Sequence, residues 1–455
     1  MFEPIHIGCY DEWGFLGQAL HRRRLPFVFL RLLFRASRLA FAMPQPARLT
    51  SIDALRGFVM FMMIFVNDLA GAGRIVPDCM VHFSDRHRGG SGMTFVDLVF
   101  PAFLFIVGMS VPFALGARIE QRQPVWKILG HVGIRTVSLL FIGILMVHET
   151  PDSRALGWSG NWWCVLMYLS AIAAFCSFSP PGTAAESAAH RWRYANLCVR
   201  LAGLAALVWL AFVFRGEQGA RIITLAPFSL NTQWYGILGL IAWAYLVACI
   251  VFLLFREHRT AILSCMVLLM CLFVADRSGA FEGFWLNKIV GIGETLGSQG
   301  AIAVGGVLLS SMLTTADLTG LKPRTRFTLG FMTACAAAAL LLNRAYGISK
   351  NNATPSWCLW ACAITAALWY LFYVISDVRP IKSISHPLAM AGQNVLLPYL
   401  ISEMLPGLVQ ALSLGGTYAH LAANLPSAIG RSVMCAVLVL LVSIVLNRVG
   451  FRLKL

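Results

Sequence analysis

The chain has 455 residues, of which 58% are hydrophobic and only 12% charged. Soluble domains carry about 25% charged residues, so this composition excludes an ordinary soluble fold and points to one large all-α bundle of membrane-spanning helices. The formal net charge of +16 is not a nucleic-acid signature, because the Lys and Arg lie in short loops between apolar runs, where they set orientation.

Residues 1–47 form a basic, amphipathic stretch with Arg22, Arg23, Arg24, Arg31, Arg35 and Arg38. It reads as a surface-lying helix on anionic lipid or a disordered arm. It lacks an uncharged core and a small-residue cleavage site, which argues against a signal peptide. Met43 is an alternative start of translation. The membrane domain is then 48–455.

Windows of about 17–25 apolar residues are long enough to span a bilayer. They fall near 54–72, 94–116, 128–147, 160–177, 196–214, 233–255, 260–276, 296–314, 327–344, 356–376, 387–411 and 429–447. The sequence therefore predicts about twelve spans, with Pro398 expected to bend the eleventh. Arg118, Arg122 and Lys127, then Arg191 and Arg193, Arg256 and Arg259, Lys322, Arg324 and Arg326, Arg379 and Lys382, and Arg448 with Arg452 all fall on one side. The alternate loops carry fewer, such as Arg154 and Arg431. The positive-inside rule puts both termini in the cytoplasm of a plasma or inner membrane. The loop after the first span, with His82, Asp85, Arg86, His87 and Arg88, then faces outward. Its arginines run against that rule, which implies another reason for keeping them.

Most of the reactive side chains collect between Arg48 and Gly116. Asp53, Arg56 and Asn67 lie on the first span and Asp97 starts the second. Polar groups near membrane depth are costly and mark sites or pathways. His82 and His87 are the candidates for proton transfer, because imidazole titrates near neutral pH. Two solvated loop histidines are the plain alternative. Asp97, in TFVD, suits a helix N-terminus, where a carboxylate complements the dipole. Asp53 follows Thr50 and Ser51, so capping is its default role. Arg56 and Arg135 could hold a phosphate or simply snorkel to the interface. Further on, Asn394 in Gly392-Gln393-Asn394 is a better pocket residue than Glu403. Cys358 and Cys362 stand one turn apart without a second pair, so no metal is expected. No nucleophile elbow, Walker loop, dinucleotide fingerprint or zinc-protease motif occurs.

SIDALRGFVMFMMIFVN, a histidine-bearing loop and GMTFVDLVFPAFLFIVG resemble the heparan-α-glucosaminide N-acetyltransferase family. The matching residues are Ser51, Asp53, Arg56 and Gly57, then Asn67, then Thr94, Asp97, Val99, Phe100, Pro101, Phe103 through Ile106 and Gly108. Weaker echoes are Arg135 with Gly143, the ETLGSQGAIAVGGVLL span, and Gly392-Gln393-Asn394 with Tyr399 and Glu403. The resemblance implies transfer of acetyl from cytosolic acetyl-CoA to a sugar or glycan across the membrane. It implies a catalytic loop histidine with Asn67 beside it, orienting it or stabilising an oxyanion. The local pattern of Pro77, Met80, Val81 selects His82, whereas a gapless count back from Thr94 lands on His87. Arg56, Arg135 and Asn394 would contact acetyl-CoA, with Asp53 and Asp97 in support. The family's Gln-Arg in the fourth span is replaced by Met167 and Tyr168, so the resemblance implies no sugar contact from that motif. The expected partners are acetyl-CoA, an extracytoplasmic glycan and the bilayer; a second copy of the chain stays open. A transporter of small anions or sugars is the alternative reading.

Overall fold

A computed structural model of the chain describes residues 49–87, 89–178, 186–314 and 318–453, except for the side chains of 186–190 and 218. The basic stretch 1–47 lies outside them, as do Arg88 and Lys454. The first five helices are α1 (Thr50–Ala70), α2 (Val96–Glu120), α3 (Val125–Val147), α4 (Gly160–Phe175) and α5 (Glu186–Val213). After them come α6 (Gly236–Phe255), α7 (Arg259–Arg277), α8 (Gly300–Thr314), α9 (Leu321–Tyr346) and α10 (Pro355–Tyr373). The last three are α11 (Lys382–Ala391), α12 (Leu396–Ala411) and α13 (Leu425–Arg448). Two short antiparallel pairs are added. β1 (Cys176–Phe178) pairs with β4 (Phe451–Leu453), and β2 (Ile223–Leu225) with β3 (Phe228–Leu230).

Among the described residues, nine helices are long and apolar enough to cross a membrane. The remaining windows fall on α1, on the shorter apolar α4, and on α11 and α12 together. The chain is an all-α polytopic bundle, because only helices can satisfy every backbone group in hydrocarbon without a closed sheet. The eleventh span is broken, but not where Pro398 predicts. The interruption is a short 3-10 turn at Gly392–Asn394. Pro398 sits in the first turn of α12, where its missing N–H costs no helical bond.

Small residues let the central helices approach at backbone distance. A Cβ added at Gly108 would lie 1.8 Å from the Ala303 carbonyl oxygen, and one at Gly306 would lie 2.0 Å from that of Phe105. These two contacts lock α2 against α8. In the same way, Gly57 and Gly392 press α1 onto α11 and the 3-10 turn, where a Cβ at Gly392 would stand 1.9 Å from the Asp53 carbonyl.

α1 has 21 residues and so runs about 30 Å at 1.5 Å per residue. Its Asp53 end meets the 3-10 turn. Its opposite end meets the start of α13, where Arg431 Nε bonds Asp68 Oδ2 at 3.1 Å. Arg431 is buried and donates to the Asp68 and Tyr418 carbonyls as well. It is thus a packing residue rather than a solvated loop charge. Near that end, the loop before α2 is tied to the loop after α9. Gly92 N donates to Ile348 O at 2.9 Å, and Ile348 N donates to Ser91 Oγ at 2.8 Å.

Candidate active site

A carboxylate at the start of α2 organises the site. Asp97 is in the first turn of α2, where the dipole favours negative charge. Asp97 Oδ2 accepts from Thr94 N at 3.0 Å and from Phe83 N at 3.1 Å. Thr94 Oγ1 donates to Val81 O at 2.7 Å and closes the loop over the carboxylate. The helix-start role is therefore real, but the other oxygen does something the sequence reading did not assign to it. Asp97 Oδ1 lies 2.7 Å from His82 Nδ1. The His82 side chain is 33% exposed and the Asp97 side chain 2%, so the acid is inside and the imidazole accessible. An ionised carboxylate can only accept. Nδ1 therefore carries the shared proton, and Nε2 is left as the base.

Lys350 completes the group. Its Nζ is 3.2 Å from both ring nitrogens of His82. Equal distances at that length put the ammonium over the ring, since an in-plane approach between the two nitrogens would collide with the carbon joining them. The Lys350 ammonium thus sets a positive charge across the ring from the Asp97 carboxylate. Burial pushes the Lys350 ammonium below the ordinary lysine value, and the Asp97 and Asp85 carboxylates pull it back up. Lys350 lies in the loop between α9 and α10, 268 residues from His82. The sequence signal was modest: with alternating spans, this loop falls on the same side as the histidine loop. Trp357 Nε1 donates to Asp97 O at 3.2 Å and fixes α10 to α2.

Beside this group is a cavity of about 390 Å³, lined by Asp97, Lys350, His87, Ser84, Tyr346 and Asn352 among others. His87 stacks on Phe83 with ring centroids 4.6 Å apart. It is exposed and has no hydrogen-bonded acid among the described residues. Arg86 donates to Val76 O at 3.2 Å and approaches Asp78 at 3.6 Å. The loop arginine is kept for holding the loop.

Asn67 is not bonded to His82. Its Nδ2 donates to Glu403 Oε1 at 2.8 Å, so Glu403, set aside in favour of Asn394, has a partner on the family motif. Tyr168 OH donates to Glu149 Oε2 at 3.2 Å. At the other end of α1, Asp53 faces Arg56 at 2.9 Å rather than serving as a plain cap, and Arg56 also donates to Ser110 Oγ. Arg135 stands apart on α3. Its guanidinium stacks over the Tyr245 ring at 4.8 Å, and it is exposed. Asn394 is buried, and its Nδ2 has no partner among the described residues.

Known proteins match this chain in part. A human heparan-alpha-glucosaminide N-acetyltransferase is 32% identical over 113 residues, covering 25% of this chain and 16% of that protein. The mouse protein of the same name is 31% identical over 111 residues, covering 24% and 16%. The chain thus spans about a sixth of the length of these relatives. A model of a domain of unknown function, DUF5009, matches residues 48–288, more than half of the chain and inclusive of His82 and Asp97. The chain belongs to the DUF5009 family and is a relative of the heparan-alpha-glucosaminide N-acetyltransferases.

Proposed function

We propose that this protein is a membrane-embedded acetyltransferase that moves acetyl from cytosolic acetyl-CoA to a sugar or glycan on the far side of the membrane. The observation that carries this reading is the Asp97–His82–Lys350 group, of which Asp97 and Lys350 line the cavity of about 390 Å³. It couples an oriented base to a cation, where acyl transfer needs a proton acceptor and a stabiliser of developing negative charge. The relatives' names support the reaction class, and the Lys/Arg asymmetry supports the orientation, with both termini in the cytoplasm of an inner membrane.

Acetyl-CoA supplies an activated thioester as co-substrate. Arg135 is the better of the two arginines for its phosphates, because it is exposed and has no carboxylate partner among the described residues, whereas Asp53 and Ser110 engage Arg56. Asn394 Nδ2 is an unused buried donor, which fits a polar chain passing the inner end of α1. His82 Nε2 takes the proton from the acceptor hydroxyl or amine as that atom attacks the thioester carbonyl. Lys350 faces the negative charge that gathers on the carbonyl oxygen. The C–S bond then breaks, and the proton held by His82 returns to the departing thiolate. Asp97 keeps the ring oriented throughout.

The test is acetyl-CoA turnover by purified protein, together with mass spectrometry of envelope glycans from cells carrying each variant. His82→Ala should lose about 10²–10⁴ of the rate, the usual worth of a general base, while still binding CoA. Normal turnover by that variant would sink the mechanism. Vesicle uptake of a small anion without CoA release would move the transporter reading ahead.

A further inference from the structure

A second cavity, of about 360 Å³, opens at the other end of the bundle, near the Asp53 end of α1. Its polar lining is His386, Gln393, Asn447, Arg448 and Arg452, and its apolar lining is Met390 and Ile444. No carboxylate is among them. Among the described residues, Arg448 Nη2 reaches only the Met390 sulfur, at 3.8 Å, and a thioether is a weak acceptor. Arg452 has no side-chain hydrogen bond or ion pair among the described residues. Asn447 Nδ2 donates to Gln393 Oε1 at 3.2 Å, which leaves the Gln393 amide nitrogen as a further donor. Two guanidinium groups and an amide donor thus line one cavity with no acidic partner among the described residues. Guanidinium pairs bidentately with phosphate oxygens.

The surroundings say which phosphate. Arg448 is the last residue of α13. On the same helix Leu438, Leu441, Val442 and Val445 are 54%, 50%, 48% and 57% exposed. From Leu438 to Arg448 is about 15 Å at 1.5 Å per residue, half of a hydrocarbon core of about 30 Å. A phosphate at Arg448 and Arg452 would therefore have an apolar surface of one leaflet's depth running away from it. A nucleotide phosphate has no use for that surface, and an acyl chain does.

We propose that this cavity binds the headgroup phosphate of an anionic phospholipid, with one acyl chain along α13. The site is separate from the His82 group and does not depend on the acetyl-transfer reading.

The experiment is native mass spectrometry of the full-length protein, released from vesicles of phosphatidylglycerol and phosphatidylcholine mixed equally. Wild type should retain phosphatidylglycerol preferentially. Arg448→Gln/Arg452→Gln should weaken that retention about tenfold or more, as expected when charge-assisted contacts are removed. Arg452→Gln alone, at an exposed strand position, should give a smaller loss in the same direction and serves as the readout if the double variant does not fold. Equal retention of the two lipids by wild type would overturn the proposal. So would variants that keep phosphatidylglycerol as wild type does. If the variants instead lose CoA binding with lipid retention unchanged, the phosphate belongs to CoA and the lipid assignment is wrong.

Discussion

The His82 imidazole is held between opposite charges, Asp97 at 2.7 Å on its Nδ1 and the Lys350 ammonium at 3.2 Å over its ring. A buried lysine costs folding energy, and the sign of that cost is testable. With its folded value pushed below 10.5, Lys350 gives up a proton more readily in the folded chain than in the unfolded one. The cost is full at pH below the folded value, shrinks between the folded and unfolded values, and is gone above the latter. Lys350→Met should therefore melt at or above wild type at pH 7, with the gap closing as pH approaches 10. The same variant should lose about 10²–10³ in kcat, the typical worth of a group that stabilises developing oxyanion charge. A Lys350→Met protein of normal kcat would reduce the lysine to a structural neighbour. His87→Ala is the companion measurement. Its ring lacks an orienting acid among the described residues and stacks on Phe83, so acetyl-CoA turnover should stay within a few-fold of wild type. A dead His87→Ala beside an active His82→Ala would reverse the assignment. Part of this site is legible in the sequence: His82, His87, Asn67 and Asp97 stand out by residue type and position, and the family resemblance alone favours His82 over His87. What sequence could not supply were the partners. Asp97 was read as a helix-end acid, and it is one, but its second oxygen is visible only in the folded loop. Asn67 was placed beside the histidine, yet it donates to Glu403, 336 positions away.

The helices themselves were the most legible elements, because a run of about twenty apolar residues has few alternatives to a membrane helix. Their interruptions were harder. Proline at 398 looked like the break, but a proline in a first turn is neutral, and the chain yields instead at Gly392–Asn394, where Gly392 packs on the α1 backbone. The β1–β4 pair is invisible in the sequence, since three residues on each side carry no period and the partners lie about 275 residues apart. The glycine pattern GAIAVGG in the eighth span was noted as a family echo, and the α2–α8 contact gives its physical reason. Gly306→Ala would put a methyl 2.0 Å from the Phe105 carbonyl oxygen. Overpacking against backbone cannot be relieved by a rotamer change, so the expected cost is about 1–3 kcal/mol, read as a lowered apparent Tm in detergent. An unchanged Tm would mean that α2 and α8 separate easily. The exposed Gly330 on α9, with open space around it, is the control and should tolerate alanine.

On the scale of the whole molecule, the proposed orientation rests on the Lys/Arg asymmetry of the loops. The end carrying His82 and Lys350 is opposite the end carrying Gln393, Arg448 and Arg452. A periplasm-active reporter inserted within 79–92 should therefore be active, and one fused after Leu455 should be silent outside. The reverse pattern would put the His82 group on the side where acetyl-CoA is made. The site also has an order of assembly. His82 and Asp97 are 15 residues apart, while Lys350 follows 268 residues after the histidine. During synthesis the histidine loop, α1 and α2 exist long before the ninth span is made. At that stage the chain contains His82 and Asp97 but not Lys350. Only when the loop after α9 docks through Ile348 and Gly92 does the ammonium arrive. On the proposed mechanism, the nascent chain therefore lacks its cation until more than three-quarters of the 455 residues have been made, and the complete Asp97–His82–Lys350 group is a property of the nearly finished chain alone.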